Sequence, residues 1–181
     1  MRVLELPALG TLLLDIAAWL AIQLAAAYGC LKAPDRWFRE TRWLRPWGLE
    51  RGGRLYERGL AIKRWKGWLP DGGSWFKGGF SKKKLRSADS AYLSRFLLET
   101  RRAEVTHWLA MAPAPLFFLW NDRASGWILM GYALAANLPC IWVQRYNRIR
   151  LGRISSKTER EGSRCIRSDK HHPLPASRRS R

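Results

Sequence analysis

An imidazole and a carboxylate stand three residues apart in ETRRAEVTHWLAMAP, residues Glu99–Pro113, where a charged segment runs into an apolar one. On a helix, positions i and i+3 share a face, so Glu104 and His107 would point the same way. On a wheel of about 100° per residue, Leu93, Phe96, Leu97, Thr100, Glu104, His107, Trp108 and Met111 gather in one sector, and Arg102 falls opposite. Acid and imidazole thus lie in the apolar stripe although a polar face is open to them. A histidine so placed can take a proton from a hydroxyl as that hydroxyl attacks an acyl carbonyl. A carboxylate beside it can fix the tautomer and stabilise the imidazolium. There is no G-x-S-x-G elbow and no cysteine near the histidine, so direct transfer is simpler than an acyl-enzyme. The same pair would serve equally as an interfacial ion pair holding a helix in place. A di-iron carboxylate centre would want a second E-x-x-H and further glutamates, and the chain has one such motif. His171 and His172 have no ligand partners nearby in sequence, and Cys30, Cys140 and Cys165 form no C-x-x-C. No metal, cofactor or disulfide framework is expected.

Three apolar runs must position this chemistry. Leu6–Leu31, interrupted by Asp15 and Gln23, exceeds the roughly 20 residues a spanning helix needs. A signal peptide cleaved near Ala27 is the competing reading. Asp15 inside the apolar region and the weak positive charge before it favour a retained helix, with Asp15 either an intramembrane acid of functional interest or an outer-interface residue. Val105–Trp120 and Gly126–Val143 flank the turn NDRASG. At about 1.5 Å per residue they reach about 24 and 27 Å, against a hydrocarbon core of about 30 Å. They predict a helical hairpin of two spans, with a re-entrant hairpin as the alternative, its first arm kinked or unwound by Pro113 and Pro115.

The net charge of +19 avoids these runs and sits beside them: Lys32–Glu104 holds 19 Lys/Arg against 8 Asp/Glu, and Gln144–Arg181 holds 12 against 3. Charge so distributed marks the cytoplasmic flanks of membrane helices and suits anionic lipid head groups. Zinc spacing, RRM aromatics and basic-zipper heptads are all missing, so no nucleic-acid partner is expected. PDRWFRETRWLRPW, from Pro34, mixes Trp with Arg as interfacial segments do. LYERGLAIKRWKGWLPDGG predicts a short amphipathic helix ended by Pro70 and a turn at Asp71–Gly73. FKGGFSKKKLRS predicts no regular structure. Asp89 or Ser90 can cap the helix that carries Glu104 and His107. The expected fold is an all-α integral membrane protein of about three transmembrane helices, including a C-terminal hairpin, with basic interfacial amphipathic helices between. Its segments are 1–31, the N-terminal helix; 32–88, basic and Trp-rich; 89–151, the helix and hairpin carrying the site; and 152–181, a disordered basic tail.

A hairpin returns VQRYNRIR, Val143–Arg150, to the depth where His107 enters. Gln144, Arg145, Tyr146, Asn147 and Arg148 would surround one imidazole at the inner interface. Their guanidinium and amide donors can hold a developing oxyanion or the phosphates of an acyl carrier.

Four stretches, PDRWFRE (34–40), RWKGWLPDGG (64–73), ETRRAEVTHWLAMAP (99–113) and ANLPCIWVQRYNRIRL (136–151), occur in the order of similar segments in one family. The chain resembles, over roughly residues 10–151, the glycosyl-4,4'-diaponeurosporenoate acyltransferases of staphyloxanthin-type carotenoid biosynthesis. The resemblance implies a bacterial membrane enzyme that esterifies the sugar of a glycosylated carotenoid, or a similar glycolipid, with a fatty acyl group. The donor would be acyl-CoA, an acyl carrier protein or a lipid. On this reading His107 is general base and Glu104 its orienter. Arg101, Arg145 and Arg148 position donor phosphate or carbonyl, and Gln144 and Asn147 bind the sugar. The protein would be integral to the cell membrane, with the basic segments and C-terminus cytoplasmic. The alternative is a non-catalytic membrane scaffold of a lipid or carotenoid pathway, recruiting soluble enzymes through basic loops such as Lys82–Lys84.

Overall fold

The chain leaves Pro7 as a 25-residue helix, α1 (Ala8–Lys32), and stops where Ala33 precedes Pro34. A residue before proline is pushed out of the helical region, and Ala33 is accordingly extended, at φ −64° and ψ 140°. The computed structural model describes residues 6–39, 44–50, 52–69 and 89–169, with side chains as far as 156. Within them every regular element is helical. After α1 come α2 (Arg36–Arg39), a 3-10 turn (Gly48–Glu50), a π-helical turn (Leu55–Gly59) and α3 (Ile62–Trp65). Then follow α4 (Ser90–Met111), a 3-10 segment (Ala114–Leu119) and α5 (Arg123–Asp169).

Helices α4 and α5 form the expected hairpin, α1 crosses α4, and α2 packs on α4. Asp89 caps α4 by accepting from the backbone N–H of Ala91 and Tyr92, at 3.1 and 3.3 Å. Helix α4 ends at Met111, and the chain tightens into 3-10 geometry through Pro113 and Pro115, which have no N–H to give a ladder. Asp122 opens α5 by accepting from the N–H and Oγ of Ser125, at 2.9 and 2.8 Å. Gly126 lies so close to the Phe118 ring that a Cβ there would collide with it, so closure of the hairpin depends on that glycine. Trp120 Nε1 and Asn121 Nδ2 donate to Asp15 Oδ1, at 2.8 and 2.7 Å, and pin α1 to the hairpin turn.

Two helices are long and apolar enough to cross a membrane: α1, and α5 over Arg123–Ser156. The third expected span, Val105–Trp120, is instead divided between the end of α4 and the 3-10 segment. The leucines of α1 face outward: Leu9, Leu12, Leu13, Leu20 and Leu24 are exposed, and its apolar window is only 6% buried. So large an apolar face needs an apolar medium or partner.

Two other elements depart from expectation. The amphipathic helix expected over 55–69 is broken by Ala61, held left-handed at φ 46°. Its two short turns instead bury Tyr56 and Ile62 against Tyr146 of α5. Helix α5 runs past Leu151 to Asp169, through residues expected to be a disordered tail. A helix already nucleated propagates cheaply through Arg, Lys and Glu. The turn at Asp71–Gly73, FKGGFSKKKLRS and the pair His171–His172 lie outside the described residues.

Candidate active site

Glu104 has no exposure to solvent. Its carboxylate receives Arg148 Nη2 at Oε2, with Arg145 Nη1 3.5 Å and Trp108 Nε1 3.4 Å from Oε1. Arg145 reaches on to a second buried acid, Glu50, at 3.1 Å, and its guanidinium lies over the Trp47 ring, 5.0 Å from the centroid. Glu50 also accepts from Tyr56 Oη at 2.8 Å and from the Trp47 N–H at 2.9 Å. Burial, and the hydrogen bond to Glu50, push the Tyr56 phenol well above its ordinary range. The result is an alternating buried row, Glu50–Arg145–Glu104–Arg148, bridging the 3-10 turn, α4 and α5. Charges so deep are stable only when each is met by its opposite and by further hydrogen bonds.

One turn deeper in the hairpin, about 4.5 Å along α4, stands His107. Its Nδ1 is 3.0 Å from Asn137 Oδ1 of α5. The Asn137 amide donates from Nδ2 to the Ala133 carbonyl at 2.9 Å, which orients Oδ1 toward the ring. A carbonyl oxygen only accepts, so Nδ1 carries the proton and the lone pair is on Nε2. That is the tautomer a general base needs. The side chain is half-buried.

The expected orienter, Glu104, turns its carboxylate to the arginines, and Asn137 holds Nδ1. Sequence reasoning missed Asn137. Its signal was an amide alone inside the apolar run Gly126–Val143, where a polar group must find a partner. Of the other expected residues, Arg145 and Arg148 join the buried row. Arg101 goes elsewhere: it donates to the carbonyls of Phe38 and Arg39 and closes the end of α2. Gln144 lies on the same face of α5 as Asn137 and Arg148, and Asn147 beside it is half-buried. Gln144 Oε1, Arg148 Nε and Arg148 Nη1 are buried without a hydrogen-bond partner among the described residues. Each such group costs about 1–3 kcal/mol when desolvated, which a ligand's hydroxyl or carbonyl oxygens would offset.

Arg102, on the face expected to be polar, is also buried, because α2 covers it. Asp35 accepts from it and from Arg95 at 2.9 Å, and Glu99 pairs with Arg102 at 2.6 Å and with Arg95 at 2.8 Å. Burial works to raise the Asp35 carboxyl, but the Arg102 hydrogen bond and the charges of Arg95, Arg102 and Arg39 prevail and hold it below its ordinary value. No group of three or more His, Cys, Asp or Glu among the described residues is placed to hold a metal ion.

Fold and site define a helical protein, with two helices able to cross a bilayer, that carries an imidazole and a buried row of alternating acids and arginines at the end of a helical hairpin. Residues 34–157 match the family model for glycosyl-4,4'-diaponeurosporenoate acyltransferase. Proteins of that name from Staphylococcus aureus are similar over most of the chain. That of strain bovine RF122 / ET3-1 is 31% identical over 147 residues, covering 81% of this chain and 88% of the relative. Those of strains Newman and COL are 30% identical over the same lengths. No solved structure matches. The chain belongs to the glycosyl-4,4'-diaponeurosporenoate acyltransferase family and is an acyltransferase.

Proposed function

We propose that this protein transfers a fatty acyl group to a sugar hydroxyl of a glycosylated carotenoid, or a closely similar glycolipid, at the cytoplasmic interface of the cell membrane. The observation that carries the mechanism is the His107–Asn137–Ala133 chain, which fixes the ring by its Nδ1 one turn inside the apolar end of the hairpin. A substrate with a long apolar body and a sugar head would lie in the bilayer with its hydroxyls at that depth. Three spans, α1 and the two arms of the hairpin, satisfy the charge distribution, with the Asn121 turn outside and the basic ends inside.

In the reaction, His107 Nε2 takes the proton of the attacking hydroxyl as its oxygen bonds to the acyl carbonyl carbon. The carbonyl oxygen gains the negative charge. Arg148, with Nε and Nη1 unpartnered and its charge fixed by Glu104, supplies donors for it, and Gln144 Oε1 accepts from a neighbouring hydroxyl. Collapse breaks the bond to the donor's leaving group, a thiolate if the donor is a thioester, and the imidazolium returns the proton to it. Glu104 acts through the arginines and not on the ring.

The test is a paired expression of wild type and His107→Ala in cells that make a glycosylated apocarotenoid. Membranes are matched for protein and the fatty-acyl ester is measured by mass spectrometry. Ester in wild type with a loss of about 10²–10⁴-fold in the variant is the expected result. Undiminished ester in the variant would remove His107 from the mechanism, and no ester from wild type would remove this acceptor.

A further inference from the structure

On the side of α5 away from Gln144 and Arg148 lies a cavity of about 330 Å³. Tyr146, Arg150 and Arg153 bring α5 to it, and Glu57, Lys63 and Lys66 close it from the π-helical turn and the α3 segment. Four cations thus face one carboxylate. That carboxylate is already engaged: Glu57 pairs with Lys63 at 3.0 Å and accepts from Tyr146 Oη at 2.9 Å. Among the described residues no carboxylate lies within salt-bridge distance of Lys66, Arg150 or Arg153. The Lys66 ammonium sits 5.1 Å from the centroid of the Tyr146 ring. Its pKa is lowered by burial and then by the charges of Arg150 and Lys63, so the group is held among like charges.

The chain is built to keep this arrangement. Gly52 and Gly53, at φ 92° and 63°, carry the backbone past the cavity in a conformation that side-chain-bearing residues rarely adopt. The space is about ten times the 30 Å³ share of one water, enough for a tetrahedral anion and part of what it is attached to. It begins at Tyr146, just beyond the apolar run that ends at Val143, so it lies at head-group depth or in water and not among acyl chains.

We infer that this cavity is a phosphate-binding pocket, in which Lys66, Arg150 and Arg153 take the oxygens of a phosphate ester and Tyr146 forms one wall. Cations in excess of their one counter-charge, converging around a space of this size, are what a phosphate-bearing ligand requires. The ligand chemistry has two sources here, the phosphates of a coenzyme A thioester and the phosphodiester of a membrane lipid. The inference does not rest on the acyl-transfer mechanism, because binding is read without turnover.

The experiment uses the full chain, purified and delipidated in an uncharged detergent. Coenzyme A, a short-chain phosphatidylglycerol and inorganic phosphate are titrated separately by calorimetry. Four proteins are compared: wild type, Lys66→Gln/Arg150→Gln, Arg153→Gln, and Lys32→Gln/Arg36→Gln, which removes the same charge at exposed positions elsewhere. Coenzyme A or phosphatidylglycerol should bind wild type and bind the pocket double variant at least tenfold more weakly, with a smaller loss in Arg153→Gln and none in the control. Inorganic phosphate should compete for the same site. Binding of coenzyme A alone identifies a nucleotide donor, and binding of phosphatidylglycerol alone identifies a lipid head group. Removing mutually repelling charges should leave the thermal midpoint unchanged or higher. Absence of binding to wild type, equal binding to the pocket variants, or an equal loss in the control overturns the inference.

Discussion

Asn137 decides what His107 can do. An imidazole with no partner at Nδ1 divides itself between two tautomers, and only one has its lone pair on Nε2. The amide selects that one through geometry alone, without a charge in the apolar part of the hairpin. Replacing it separates positioning from packing. Asn137→Leu fills the same space without an acceptor and should lower kcat about 10-fold or more with little change in KM. Asn137→Asp restores an acceptor for Nδ1–H and should recover much of the rate. It should also move the acid-side limb of the pH profile to higher pH, since the new carboxylate favours the imidazolium and a general base must be neutral to act. A purely structural role predicts parallel losses of rate and thermal midpoint in both variants and no change in the profile.

At the scale of elements, the hairpin is held at its basic end by charge and at its turn by small-residue and proline geometry. Glu104 joins α4 to α5 through Arg148 and Arg145, and Glu50 ties in the 3-10 turn. Removing one member leaves its partners buried and uncompensated, at a cost of about 3–5 kcal/mol. Glu104→Gln should therefore lower the thermal midpoint sharply, followed by tryptophan fluorescence in detergent. Glu104→Gln/Arg148→Met, which removes the stranded cation as well, should recover most of the midpoint but not the activity. A midpoint unchanged in the single variant would show that the row contributes no cohesion.

Much of this element structure was legible in the sequence: the Asp89 cap, a hairpin turn after Trp120, though it is shorter than expected because Arg123–Gly126 already belong to α5, the unwinding at Pro113 and Pro115, and the return of Arg145 and Arg148 to the end of α4 that carries Glu104 and His107. Each rests on local chemistry or on the single fact that a hairpin returns. What was hidden depends on distant pairings that periodicity does not encode. Arg102 looked solvated because its partner Asp35 is 67 residues away. Arg101 looked free to meet substrate because the α2 carbonyls it holds are about as distant. The helix wheel placed Glu104 beside His107 correctly, but could not show that the arginines outbid the imidazole for the carboxylate.

Over the whole molecule, polar contacts collect at two ends with an apolar band between. Asp15, Trp120 and Asn121 mark one end. Asp35, Glu99, Glu104 and the arginines of α4 and α5 mark the other. From Asn121 to Arg145 is 24 residues, about 36 Å along a helix, which spans the hydrocarbon core of about 30 Å. The exposed leucines of α1, and Trp127 and Ile128 of α5, face outward from the band, and exposed Trp37, Trp47 and Trp68 stand near its basic end. With charge as the guide to orientation, the Asn121 turn should lie outside the cell and Arg150 inside. Ala124 and Gly152 are exposed positions near the two ends, and a Cβ at Gly152 meets nothing within 4 Å. In a background with Cys30, Cys140 and Cys165 changed to serine, Ala124→Cys should be labelled in intact cells by a membrane-impermeant maleimide. Gly152→Cys should be labelled only after permeabilisation, and both proteins should stay with membranes through alkaline carbonate. Labelling of both positions in intact cells would place the hairpin on one side and turn it into a re-entrant loop. Reversed labelling would put the His107 end outside, out of reach of any cytoplasmic thioester, and only a lipid donor could then serve.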